Sequence, residues 1–401
     1  MVRAYFNFIL YLCTMLMNEA TLVFIRRHAD GDVRRLALQG VKDPDVDLPM
    51  ALQQIAGRQT ARKKLPSWAA AEDVVYPPHL NMEQCSSEQT ARYKAGIVGR
   101  GSRYVDLTGG LGVDFFFMSQ AFSERIYVEQ NVDLCAVAEH NFRLLGLTCS
   151  VCCSDAVAFL QQMRGTADVV YLDPARRNEH GGRTYGIADC TPNVLELLPL
   201  LRQKAATVVL KLSPMLDWRK AVDDLGGADE VHIVSVGNEC KELVLVLGDS
   251  RLPVLYCVND GHAWQVPAPR LSAVSEQKEE AAAFLYEPNA SIMKAGCFEA
   301  VEQTYPVRQL AANSHLFVSA VRVDDFPGRA FCIESVAALN KQELRTALAA
   351  IDRANITVRN FPMTVEQLRK KLKLKDGGTV YLFATTLADD SHKLFICRKI
   401  G

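Results

Sequence analysis

Asp106-Leu107-Thr108-Gly109-Gly110-Leu111-Gly112-Val113-Asp114 reads as a strand end that runs through a glycine-rich turn into a further apolar stretch. Glycines in such a turn let a ligand approach the backbone closely, because no Cβ stands in the way. In an open α/β sheet, ligands bind beyond the carboxyl ends of the strands, so function is read from the residues that follow each strand. A dinucleotide-binding turn has the pattern Gly-x-Gly-x-x-Gly. Here Gly110 and Gly112 are followed by Phe115 where the third glycine would stand, which weakens the dinucleotide reading.

Short apolar runs alternate with helical stretches around this turn. Those at 104–107, 126–129, 148–152, 169–172 and 207–212 predict five βα units of a parallel sheet covered on both faces. Two more runs, 231–236 and 243–247, are separated only by 237–242. That is too short for a parallel crossover, so they pair as an antiparallel hairpin. Acidic residues recur at the strand ends: Asp106 after the first, Glu129 after the second, Asp155 near the third, and Asp173-Pro174-Ala175-Arg176-Arg177 after the fourth. Each alone reads more readily as a helix cap than as a ligand. Taken in order, with a glycine turn first, they read as a binding set. Glu129 can accept ribose hydroxyls, Asp155 is placed to meet an adenine amine, and Asp173 stands where a substrate would meet the ligand.

With these motifs the sequence resembles the class I S-adenosylmethionine-dependent methyltransferases. The turn from Asp106 to Gly112 is similar to their first motif, Glu129 to the ribose-binding acid, Asp155 to the adenine-side position, and Asp173-Pro174-Ala175-Arg176 to the catalytic-strand motif. More narrowly, it resembles a bacterial family of such enzymes with a C-terminal THUMP-like domain. Tyr76-Pro77-Pro78-His79-Leu80, Met82-Glu83-Gln84-Cys85-Ser86-Ser87-Glu88, Glu239-Cys240-Lys241-Glu242-Leu243 and Tyr286-Glu287-Pro288-Asn289 carry that likeness, alongside Asp173-Pro174-Ala175-Arg176-Arg177.

The resemblance implies an α/β fold with a seven-stranded Rossmann-like methyltransferase sheet. It also implies an N-terminal helical region, a small ferredoxin-like α+β segment and a C-terminal THUMP-like α+β domain. The expected divisions are 1–98, 99–250, 251–325 and 326–401. S-adenosyl-L-methionine is the implied cofactor, bound by Asp106, Thr108, Gly109, Gly110, Gly112, Asp114, Glu129, Asp155 and Asp173. RNA, ribosomal or transfer, is the implied substrate class, because THUMP domains are RNA-binding modules.

Methyl transfer needs little beyond alignment of the reacting atoms, so positioning supplies much of the rate. Asp173 can accept a hydrogen bond from a base amine, helped by the carbonyl of Pro174. Arg176 and Arg177 suit a phosphate or the acceptor edge of guanine, or else neighbouring acids. The aromatic clamp of adenine-amine enzymes is missing, because Ala175 and Arg176 hold the last two places of the motif. Tyr185 lies in the loop that follows, which either closes over substrate or is a solvent loop. Glu88, Thr90 and Lys94 are expected to face the methionine end of the cofactor. Cys240 lacks the Cys-Asn-Pro context of a pyrimidine-attacking cysteine and reads first as a structural residue.

Composition limits the rest. The 401 residues carry 45 basic and 46 acidic side chains, so no strong overall field points to nucleic acid and any basic surface is local. Between 339 and 401 there are 12 Lys and Arg against 6 Asp and Glu. Five of the basic residues lie within 369–375, including Lys370 and Lys371. They read as a phosphate-binding edge or as a solvated helix face. Twelve cysteines are too few for a disulfide scaffold. Cys149-x-x-Cys152 is half a zinc pattern without its partner, so no metal is expected. The apolar stretch at 4–17 is shorter than the ~20 residues a bilayer span needs, and a cytoplasmic location without a membrane partner is expected. The alternatives are the same fold acting on a protein or small molecule, and an RNA-binding protein that keeps the cofactor pocket without turnover.

Overall fold

The structure is a computed structural model that describes residues 17–176, 186–267 and 282–400. Arg177, Tyr185 and the side chain of Arg176 lie outside the described residues. The chain divides into two compact units, Met1–Val231 with Glu242–Pro253, and His232–Lys241 with Val254–Gly401.

The first unit begins with helices whose starts are set by side-chain caps. Asn18 caps Glu19–Arg27, Asp32 caps Val33–Gln39 and Asp47 caps Leu48–Lys64. Each cap oxygen accepts a backbone N–H that the first turn leaves unpaired. The long helix stops at Lys64 with Leu65 as its C-cap, and Pro66 opens the short helix Pro66–Ala70. The helix Glu88–Val98 is capped by Ser87. The spacing of Ser86 and Gln89 predicts a cap one residue earlier, but the Ser86 hydroxyl is committed to tertiary partners described below.

The strands in chain order are β1 (Gly101–Asp106), β2 (Phe122–Glu129), β3 (Ser150–Cys153), β4 (Ala167–Leu172), the short β5 (Ala175–Arg176) and β6 (Cys190–Thr191), β7 (Ala205–Leu212), β8 (Ala228–Val236), β9 (Glu239–Leu247), β10 (Val254–Asn259) and β11 (His262–Gln265). The main sheet has nine strands, in the order β11-β10-β8-β9-β7-β4-β1-β2-β3. β1, β2, β3, β4 and β7 are parallel and β9 is antiparallel to β7. The seven-strand expectation is corrected on this point. The hairpin β10–β11 turns at Asn259-Asp260-Gly261 as its sequence suggests, but it extends this sheet beside β8. A strand edge carries unpaired N–H and C=O groups that a further strand can satisfy.

Register brings the carboxyl ends together. Asp106 pairs with Tyr127 of β2 and with Tyr171 of β4, and Glu129 pairs with Cys153 of β3. The sheet faces are filled by Val105, Val128, Val170, Val209 and Leu210, all fully buried. Near-continuous apolar runs of this kind are what a sheet covered on both faces requires.

The second unit holds β12 (Phe284–Pro288), β13 (Arg308–Gln309), β14 (Phe317–Ser319), β15 (Gly328–Ala338), β16 (Asn355–Arg359), β17 (Val380–Thr386) and β18 (His392–Lys399). They form one sheet in the order β13-β14-β12-β15-β18-β17-β16. The sequence over 276–285 suggests a helix; most of that stretch lies outside the described residues, and its last two positions, Phe284 and Leu285, are strand. Leu285, Phe331, Phe383 and Phe395 form one core, and Leu368, Leu382, Leu394 and Ile396 another. The basic helix Val365–Leu372 links parallel β16 and β17. Thr364 and Gln367 form its capping box, and Leu368 is its buried anchor.

Candidate active site

The glycine turn is shaped from beneath by aromatic rings. Phe115, Tyr127 and Phe142 are buried and pack against one another, with centroid separations of 5.2–5.5 Å. A Cβ on Gly109 would lie 2.1 Å from the Tyr127 ring, and one on Gly112 would lie 2.4 Å from the Phe142 ring. Phe115 therefore occupies the place of the missing third glycine because it is a member of this packed trio. Gly110 is glycine for a different reason. Its φ is +55°, and a Cβ there would meet nothing nearer than the Thr108 carbonyl oxygen at 3.9 Å. That open backbone is a cradle that a ligand can approach.

Three strand ends meet at the turn, and a fourth lies next to them in the sheet. The Asp106 Oδ1 accepts the Thr108 N–H at 2.9 Å. Burial first, then the nearby carboxylates Asp114, Asp173 and Glu129, push the Asp106 carboxyl well above its usual range. Glu129 bridges two loops, accepting the Gly110 N–H through Oε2 at 2.9 Å and the Asn131 N–H through Oε1 at 2.8 Å. Asp155 is the N-cap of the helix Ala156–Gln162, with Oδ1 accepting the N–H groups of Val157 and Ala158. The Asp173 N–H donates to Thr108 Oγ1 at 2.7 Å, which ties the fourth strand end to the glycine turn. Pro174 is buried behind it. These contacts tie Asp106 and Asp173 together through Thr108, and Glu129 to the same turn at Gly110. Asp155 stands on the next strand end, exposed.

Asp114 does not belong with the exposed acids. It is buried, and its Oδ2 accepts bonds from the Ser86 hydroxyl at 2.8 Å and the Tyr171 hydroxyl at 2.7 Å. Its other oxygen lies 3.0 Å from the Lys94 ammonium. Lys94 is fully buried and also bonds Glu242 at 2.6 Å and Ser86 at 2.8 Å. Burial alone would raise the Asp114 carboxyl, but Lys94, Lys211 and the two hydroxyl donors outweigh it and hold it below the ordinary value. Of the trio expected at the methionine end, Lys94 is thus engaged in this cluster. Glu88 accepts from Ser67 and Arg92, and Thr90 bonds to Ser87 in the first turn of its helix.

Lys211 escaped the sequence reading. It stands on β7, and its ammonium bonds Asp173 Oδ2 directly. Burial opposes its charge, yet Asp173, Asp114 and Glu242 outweigh that and hold it protonated well above the lysine range. A usable signal was present: a lysine inside the apolar run 207–212, where a charge is rare unless paired.

In the second unit Lys370, Lys371, Lys373 and Lys375 are exposed around the end of the basic helix. Arg369 is not part of that free edge, because it bonds the carbonyls of Ala354 and Lys375 and the Asp376 carboxylate. Cys240 is partly buried on β9. Among the described residues no group of three or more His, Cys, Asp or Glu is arranged as metal ligands, and no helix is long and apolar enough to cross a membrane.

Comparison with known proteins adds to this geometry. A THUMP domain-like family matches residues 328–399, and a ferredoxin-like domain family matches residues 284–327. The crystal structure of a candidate methyltransferase from Porphyromonas gingivalis W83 is 31% identical, covers 96% of this chain and 100% of its own, and superposes with a TM-score of 0.80. An S-adenosylmethionine-dependent methyltransferase from Agrobacterium tumefaciens is 17% identical over 42% of this chain and 64% of its own, with a TM-score of 0.30. No curated protein matches the chain. With a glycine turn and acidic strand ends in place, and with a full-length relative above 30% identity, the chain belongs to the S-adenosylmethionine-dependent methyltransferase family that carries a C-terminal THUMP-like domain.

Proposed function

We propose that this enzyme methylates a base amine in RNA. The observation that carries the reading is the hydrogen bond from the Asp173 N–H to Thr108 Oγ1, which couples the acceptor side of the site to the cofactor turn. S-adenosylmethionine, when bound, supplies the electrophilic methyl group. Gly110 offers open backbone, Glu129 keeps lone pairs for ribose hydroxyls beyond its two backbone bonds, and Asp155 keeps Oδ2 for an adenine amine. Asp106, Thr108, Gly109 and Gly112 hold the turn in shape. Asp114 acts from beneath through the buried cluster rather than by direct contact.

Asp173 Oδ2 is bonded to Lys211, which leaves Oδ1 to accept from the target amine and aim the nitrogen lone pair. The buried Pro174 fixes the strand end behind it. Arg176, Arg177 and Tyr185 follow directly in sequence and are proposed to meet the nucleotide. Exposed Lys370 and Lys371, in the THUMP-like match, are proposed to bind RNA phosphates. Nucleoside mass spectrometry of total RNA from a deletion strain and its parent tests the reading. Loss of one methylated nucleoside is the expected result, and an unchanged profile would shift the substrate to a protein or small molecule.

A further inference from the structure

The charges beneath Asp173 do not balance. Asp114, Glu242 and Asp173 supply three carboxylates, while Lys94 and Lys211 supply two ammonium groups. Lys94 is enclosed between Asp114 and Glu242, and the Glu242 Oε1 is buried with no hydrogen-bond partner. Asp106 is not bonded to this cluster, its Oδ1 accepting the Thr108 N–H instead. Among the described residues the Asp173 side chain is the cluster's most exposed member, at 37% against 12% for Lys211. A buried group of this kind is costly unless its charges are matched. One positive charge arriving at Asp173 would complete the match.

We infer that this cluster is a counter-charge for the cofactor's sulfonium, with Lys211 as the positioning residue that limits the negative charge presented at Asp173 to one unit. The inference rests on the placement of Asp173 at the cofactor site. It says that the chain distinguishes S-adenosylmethionine, whose sulfur is cationic, from S-adenosylhomocysteine, whose sulfur is neutral, by charge rather than by shape. The neutral product then leaves the cluster unmatched, which favours its release. Lys211 also holds Asp173 in one orientation, so the carboxylate meets cofactor and acceptor without rearranging.

Calorimetric titration of the full chain with each of the two molecules tests this without any methyl acceptor. The readout is the ratio of the two dissociation constants. Lys211→Met removes a positive charge and should increase the preference for the sulfonium roughly three- to tenfold, as expected for one charge acting across a few ångströms with water-like screening. Asp173→Asn removes a negative charge and should lower the preference by a similar factor. Lys211→Arg should leave the ratio within twofold of the wild type. A merely structural role would weaken both ligands together and leave the ratio alone. Ratios that shift in the same direction in Lys211→Met and Asp173→Asn, or that do not move, would overturn the inference while leaving the methyltransferase site intact. If Lys211→Met fails to fold, an Asp173→Asn ratio equal to that of the wild type overturns it just as well. Failure of the wild-type chain to bind either molecule would overturn the site assignment itself.

Discussion

Replacing Gly109 by alanine places a methyl carbon 2.1 Å from the nearest Tyr127 ring carbon and 2.4 Å from the next. Ordinary carbon contacts are about 3.5–4.0 Å, so well over 1 Å of space has to be made. The ring cannot provide it. Tyr127 is fully buried, lies edge-on to Phe115 and Phe142, and donates its hydroxyl to the Gly110 carbonyl. The turn must lift instead, which breaks the 2.9 Å bond from the Gly109 N–H to the Val128 carbonyl. Overpacking costs about 1–3 kcal/mol and a lost hydrogen bond about 1 kcal/mol, so a total of roughly 2–4 kcal/mol is expected. Lifting the turn also pulls the Gly110 N–H from Glu129. Urea unfolding followed by circular dichroism should show the lower midpoint, and calorimetry should show at least tenfold weaker cofactor binding. Gly110→Ala is the comparison, because its methyl enters open space and its cost is about 1–2 kcal/mol of left-handed backbone strain. A Gly109→Ala protein as stable as the wild type, or more stable than Gly110→Ala, would refute the packing argument.

Three further substitutions probe separate layers of the structure. Lys94→Met leaves Asp114 and Glu242 buried without their ammonium partner and should cost about 3–5 kcal/mol in urea unfolding, the range for a broken buried pair. Asp106→Asn should change how stability depends on pH. The folded-state carboxyl is raised, so the wild type loses stability as pH climbs from about 4 toward the folded value, and the asparagine variant does not. Its stability relative to wild type should therefore rise from pH 4 to pH 7, and a constant difference across that window would contradict the assignment. Glu charge reversal at Lys370 and Lys371 should weaken binding to RNA and flatten its log–log salt dependence by roughly one unit per lysine, whereas unchanged affinity would mark a solvated helix face.

The parts of this fold that were legible in sequence are those written in local pattern. The parallel strands show as apolar runs because both faces of the sheet are covered. The acidic strand ends show because each follows such a run and the topology sends them all to one edge. The turn at Asn259-Asp260-Gly261 is equally local, since these residues favour a tight hairpin. The sheet that the hairpin joins is not local, because pairing beside β8 is a choice between distant edges that no nearby residue records. The cap at Ser87 shows the same limit on a smaller scale. Two adjacent serines offer similar cap chemistry, and the decision lies with Asp114 and Lys94, which claim the Ser86 hydroxyl.

The buried cluster marks where local pattern stops carrying information about the site. Lys94, Asp114, Lys211 and Glu242 come from four elements, and their nearest neighbours in sequence say nothing of their meeting. Each nevertheless breaks a local rule, because a charge is placed where its helix or strand is otherwise buried. Such a charge persists only when a partner repays its desolvation. Two lysines in buried settings therefore demand carboxylates close by, and of the three that answer only Asp173 is a strand-end acid, Asp114 coming from a helix and Glu242 from within β9. The demand can be turned around as a rule for relatives of this chain: where Lys211 is replaced by a neutral residue, one of Asp114, Glu242 or Asp173 should be neutral as well. Structures or sequences of relatives that lose the lysine and keep all three carboxylates would show that the charge at this site is balanced in some other way.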